Sequence, residues 1–136
     1  MKREQIDTGK AFVCLTKEGH VLIQIHEDQE IDINDIKAIN AAKFNLVKEE
    51  PYTVIFVTPV IGDITHQARL YSASKEVNKN AIAKAIVSNS LAGRIISSFF
   101  INIIRPPAPT KLFSCKHQAS EWLNNMCTRA LKNDLV

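Results

Sequence analysis

The order of segment types predicts an α/β fold: a mainly parallel sheet of about five strands, with an N-terminal β-hairpin and about four helices. Three observations carry this. Two short β-type runs, AFVCLT at 11–16 and VLIQIH at 21–26, open the chain around a glycine turn. The run YTVIFVT at 52–58 is almost continuously β-branched or aromatic, as expected of a strand covered on both faces. Strand-type and helix-type segments then alternate, which calls for parallel strands joined by helical crossovers. The 136 residues read as a single domain.

In the first pair, Val21, Ile23 and Ile25 alternate with Leu22, Gln24 and His26, and Gly19 sits in the connection, so an antiparallel hairpin is expected. A helix follows the acidic stretch EDQEID. Asp32 is its N-cap with Asp35 three residues on, and Ile33, Ile36, Ile39, Ala38, Ala41 and Ala42 are its expected buried face. Pro51 closes that segment. The strand at 52–58 ends at Pro59, Gly62-Asp63 mark a turn, and Thr65 caps a helix expected over about 66–78.

The stretch NAIAKAIVSNSLAGRIISSFF, residues 80–100, admits one long helix or a strand, a turn and a helix. As one helix, it would put Asn89 in the apolar face and Val87 and Leu91 in the polar one. These misfits bracket Ser88-Asn89-Ser90, whose side chains favour local bonds to backbone over helix. After Ser90 the period is clean, with apolar pairs at 91/92, 95/96, 99/100 and 103/104. The reading is therefore strand 82–87, turn 88–90 and helix 90–104. RPPAP at 105–109 stops that helix and acts as a stiff connector. A final strand, TKLFSC at 110–115, leads to a helix capped by Ser114, with Ala119, Trp122, Leu123, Met126, Cys127, Ala130 and Leu131 on one stripe.

Composition bounds the function. With 46% hydrophobic and 23% charged residues the chain can bury a core. A net charge of +3, spread over 17 basic and 14 acidic residues, forms no basic stripe, which argues against nucleic acid as a partner. Cys14, Cys115 and Cys127 make an odd count without a CxxC pair, in keeping with buried thiols in a reducing compartment. MKREQIDTGK has no apolar signal-type run. The window 95–104 is about half the length of a membrane span. A cytoplasmic protein without a membrane span is expected.

This order of elements resembles the STAS domain, or SpoIIAA-like, family, and the second half is most similar to small bacterial STAS/SEC14-like proteins. The likeness rests on NAIAKAIVSNSLAGRIISSFF as strand, polar turn and helix, and on PPAPTKLFSCKHQASEWL as closing strand and helix with Ala119, Trp122 and Leu123. It covers about residues 52–124; residues 1–50 share only the order of elements. The resemblance implies non-enzymatic work, a regulatory or binding module for a protein partner or small ligand. In antagonist members of the family a serine in an Asp-Ser motif, after the third strand, is switched by phosphorylation. Here that place reads GDITHQAR, with Asp63 and Thr65 but no Asp-Ser pair. SEC14-type kinship implies the alternative, a carrier or sensor of a lipophilic small molecule.

The candidate site is therefore the pair of strand-end loops, Asp63 and Thr65 in one and Ser88, Asn89 and Ser90 in the other. Thr65 stands where a phosphate would meet a helix N-terminus, and equally where a threonine caps a helix. The serines and Asn89 offer hydroxyls and an amide to a small anion, or serve as turn and cap. Cys115 and His117 lack the further ligands of a zinc site and an evident activating base, so neither a metal nor a cofactor is expected. Phe99, Phe100 and the isoleucines of 90–104 exceed what one helix face needs, leaving a thick core, a lipophilic cavity or a homodimer contact as readings.

Overall fold

The computed structural model describes residues 5–134. Its main sheet has six strands, β1 (Gln5–Asp7), β2 (Ala11–Leu15), β3 (Val21–Ile25), β5 (Tyr52–Val57), β7 (Ala81–Val87) and β8 (Thr110–Phe113), side by side in that order. Two further strands, β4 (Gln29–Ile31) and β6 (Gly62–Ile64), form a separate parallel pair. The helices are α1 (Ile33–Val47), α2 (His66–Ser72), α3 (Leu91–Phe99), continued by a π-helical turn (Phe100–Ile104), and α4 (Lys116–Asp134).

β1–β2–β3 is an antiparallel meander, whereas β3, β5, β7 and β8 pair in parallel. Successive parallel strands step in one direction across the sheet. Right-handed crossovers then put α1, α2 and α3 on the same face, and α4 returns across the other, packing on β7 and β5. The period-2 alternation of β5 and β7 divides the core accordingly. Tyr52 and Val54 join Ile23, Ile36 and Ile39 beneath α1. Ile55, Ala83, Ala85 and Val87 meet Ala119 and Leu123 of α4. Leu123 and Ile55 are fully buried, and a side chain of this kind contributes roughly 1.5–3 kcal/mol.

The expected strand, turn and helix at 80–104 are present, with the last turn π-helical. Five points differ from expectation. The main sheet has six strands instead of about five, because the three-residue β1 adds an edge, and β4 and β6 also lie outside the sequence pattern. The helix expected over 66–78 stops at Ser72; turns then carry the chain to Asn80, whose φ of 66° redirects it into β7. Ala38 and Ala41 of α1 are exposed, and Lys43 takes a buried place instead. The final strand ends at Phe113, and Cys115, whose carbonyl accepts from the Ala119 amide at 3.3 Å, holds the cap position expected of Ser114. The Ser114 hydroxyl instead accepts from Arg94 at 2.9 Å.

The fifth point concerns α3. Leu91, Ile95, Phe99 and Ile103 point to solvent, each at least 49% exposed, while Ser97 is buried. Phe100, by contrast, is buried over the sheet, and Ile96, still 39% exposed, sits at the edge of the cavity beside it. The surplus apolar residues therefore do not build a thick core. One stripe turns in and the other is left uncovered.

Candidate functional site

Parallel strands β5 and β7 end at the same edge, and the loops that leave them are tied together. Thr58 donates to the Val87 carbonyl from both its amide, at 3.0 Å, and its hydroxyl, at 3.1 Å. The first loop is also pinned from outside. The Glu27 carboxylate accepts from the amides of Val60 and Ile61, both at 2.9 Å, and these bonds hold its pKa below the usual carboxylate range. Gly62 closes that loop at φ 149°; a Cβ there would lie 2.8 Å from the Gln29 carbonyl oxygen and from Pro59 Cγ. In the second loop, the Ser90 hydroxyl caps α3 by accepting from the Gly93 amide at 3.0 Å. Gly93 lies so close to the Ser88 and Ser90 hydroxyls that a methyl group would collide with both. The absence of a side chain lets α3 start directly above the end of β7.

Behind these loops a cavity of about 160 Å³ lies between the sheet and the helices. Its origin is the helix arrangement: α1 lies over β2 and against α2, and α3 lies toward β8. The floor is Ile23, Val54, Phe56, Lys84 and Ile86; Ile36, Ile39 and Lys43 come from α1, and Ile96, Ser97 and Phe100 from the α3 side. The lining residues Val60, Asp63, Ala92 and Ile96 are exposed and mark its rim.

Within this apolar enclosure stand two lysines, Lys43 at 3% exposure and Lys84 at 8%. Among the described residues no carboxylate comes within ion-pair distance of either. Lys43 Nζ donates to the Val77 carbonyl at 2.5 Å and lies 4.5 and 4.7 Å from the ring centres of Phe44 and Tyr52. Lys84 Nζ reaches the Ser72 carbonyl, at the end of α2, at 3.4 Å. Burial lowers the pKa of Lys43 to about 7, helped by the charge of Lys84, and lowers that of Lys84 to about 8. Burial also pushes the Tyr52 hydroxyl, which donates to Val77 as well, up to about 12. The amide oxygen of Asn40, another lining residue, is buried without a partner.

Of the residues predicted from sequence, Asp63 and Ser90 line this cavity. Asp63 is exposed at the rim, 3.9 Å from the Arg69 guanidinium. Thr65 caps α2, accepting from the Ala68 amide at 3.2 Å. Ser88 is 1% exposed, and its hydroxyl is without a hydrogen-bond partner. Asn89 is exposed on the loop. Cys115 and His117 are both exposed, and His117 pairs with Glu121 at 2.9 Å. Among the described residues no group of His, Cys, Asp and Glu side chains is arranged to hold a metal, and no helix is long and apolar enough to cross a membrane.

Sequence reasoning passed over both lysines, although each carried a signal. Lys84 is the one charge in the apolar run AIAKAIV, and Lys43 falls on the helical stripe of Ile36, Ile39 and Val47. It also missed His20, buried on the α4 side with Nδ1 2.5 Å from Thr53 Oγ1 and Nε2 2.7 Å from Asn124 Oδ1. That network fastens α4 to the sheet, away from the cavity.

The chain belongs to the family described as a domain of unknown function, DUF7793, whose model matches residues 14–127. Its fold is SpoIIAA-like. It is similar to the crystal structure of an uncharacterized protein of the DUF3478 family with a SpoIIAA-like fold from Shewanella loihica PV-4. That likeness has a TM-score of 0.51 and 14% sequence identity, and covers 90% of this chain and 92% of the other. No curated protein shows significant sequence similarity to the chain.

Proposed function

We propose that the protein is a non-enzymatic binding module that holds a lipophilic small molecule in the cavity between its sheet and α1–α3. The strand-end loops at 59–65 and 88–90 serve as the mouth. The cavity carries the reading. At about 160 Å³ it is large for a gap in a close-packed interior; an apolar cavity of about 150 Å³ is enough to take up benzene. Apolar walls with a few convergent polar groups at a sheet's carboxyl edge are the usual form of a small-molecule site. Native mass spectrometry and solvent extraction of the purified protein test it. A bound species released by denaturation supports the reading. A protein found only at its bare mass, and taking up neither an apolar alcohol nor an apolar acid, refutes it.

A regulatory protein partner is the second reading, favoured by the uncovered stripe of Leu91, Ile95, Phe99 and Ile103 beside the exposed Val60 and Ile61. The two readings combine if a bound ligand alters the loops that a partner touches. Under either one, Thr65 acts as a helix cap and no phosphate switch is required.

A further inference from the structure

We infer that the cavity selects a lipophilic anion, gripping its carboxylate head group with Lys43 and Lys84 while the isoleucine walls hold the apolar part. This rests on reading the cavity as a ligand site, and it names the ligand's chemistry.

Two lysine side chains share one apolar cavity, and among the described residues neither has a carboxylate partner. Buried charges are ordinarily paired, because an isolated one loses its hydration without compensation. The carbonyls of Val77 and Ser72 each accept one bond. An ammonium has three N–H donors, so each lysine keeps two for another acceptor. Neither the carbonyls nor the ring faces of Phe44 and Tyr52 beside Lys43 and of Phe100 beside Lys84 supply a counter-ion when the lysines are protonated. The one acidic residue in the lining, Asp63, is at the exposed rim beside Arg69. A carboxylate entering from the mouth would supply the missing negative charge to both lysines and accept from each.

The walls describe the rest of the molecule. Ile23, Ile36, Ile39 and Ile86 offer only apolar contact. The cavity volume of about 160 Å³ suits a head group and a handful of carbons. A longer tail would leave past Val60 and Ile96, both exposed at the rim. A cationic amphiphile of the same shape would add a third positive charge and be rejected.

Calorimetric titration with octanoate, 1-octanol and octylamine, after removal of bound lipid, separates head group from tail. Octanoate is expected to bind about 10- to 100-fold more tightly than 1-octanol, the usual worth of hydrogen bonds to a charged group. Octylamine is expected not to bind. Lys84→Met and Lys43→Met should each remove most of the preference for the acid over 1-octanol. Equal affinity for acid and alcohol in the unmodified protein overturns the head-group assignment and leaves the cavity reading standing. Failure of all three probes overturns the cavity reading itself. The comparison of acid with alcohol uses the unaltered chain, so it decides the matter even if a variant fails to fold.

Discussion

Replacing Lys84 by methionine should make the ligand-free protein more stable, and the gain should depend on pH. The ordinary lysine pKa of 10.5 falls to about 8 at this position because of burial. At about 1.4 kcal/mol per pH unit, that corresponds to about 3 kcal/mol of destabilisation when the group is charged. Below pH 8 the lysine is protonated in both folded and unfolded chains, and the whole penalty is present. Between pH 8 and 10.5 the folded protein releases the proton first, so stability rises with pH through that window. Methionine has a similar length and no charge; it gives up the 3.4 Å bond to Ser72 and the long 6.0 Å approach of Nζ to the Phe100 ring. A loss of about 1 kcal/mol for that bond leaves a net gain of about 2 kcal/mol at pH 7. For a chain of this size the melting temperature should rise by roughly 6–10 °C. Urea unfolding of both proteins at pH 7, 8, 9 and 10 is the assay, and the difference between them reports Lys84 together with its repulsion of Lys43. The gap should narrow steadily as pH rises. A variant less stable than the parent at pH 7, with a gap indifferent to pH, would show that the ammonium is satisfied in the free protein and would remove the case for a missing anion.

Four other substitutions follow from the same contacts. Gly93→Ala should cost about 1–3 kcal/mol by driving a methyl into the Ser88 and Ser90 hydroxyls; adding Ser88→Ala should restore part of the loss in thermal melts. Thr65→Ala should cost about 1 kcal/mol through the lost cap of α2, read as a lower midpoint in urea unfolding. His20→Ala should cost about 2 kcal/mol by leaving the buried Thr53 hydroxyl without its partner and freeing exposed Asn124, which denaturant unfolding would read. Glu27→Gln should weaken the hold on the 59–61 loop. In the parent, the lowered carboxylate pKa means this hold is complete above the ordinary glutamate range and lost as pH falls through the lowered value; amide exchange at Val60 and Ile61 would follow both changes.

The sequence revealed the fold wherever a segment was long enough to show a period. The alternation of β3, the unbroken run of β5 and the Ser88–Ser90 break each encoded a local preference that the tertiary structure keeps. The three-residue strands β1, β4 and β6 had no such signature, since three residues fit either period and their pairing depends on distant partners. The end of α2 was hidden for a related reason: ASKEVN suits a helix, but the chain must turn to enter β7. In α3 the amphipathic period identified a helix without telling which face turns inward. Its start is set by the Gly93 backbone against the Ser88 and Ser90 hydroxyls, a close approach that a periodic pattern does not reveal. The candidate site was legible to the extent that it lies where strand ends predict. Its chemistry lay deeper, in two lysines whose shared cavity exists only once α1, α2 and β7 are assembled.

Isoleucine methyl NMR during titration with octanoate tests the central claim most directly, because isoleucines lie on both sides of the sheet. Ile23, Ile36, Ile39, Ile86 and Ile96 line the cavity, whereas Ile55 packs under α4 on the opposite face. Saturable shifts of these five methyl signals, and of Ile64, which also lines the cavity, are expected, with Ile55 stationary. Stationary lining signals, or shifts confined to exposed Ile95 and Ile103, would contradict it.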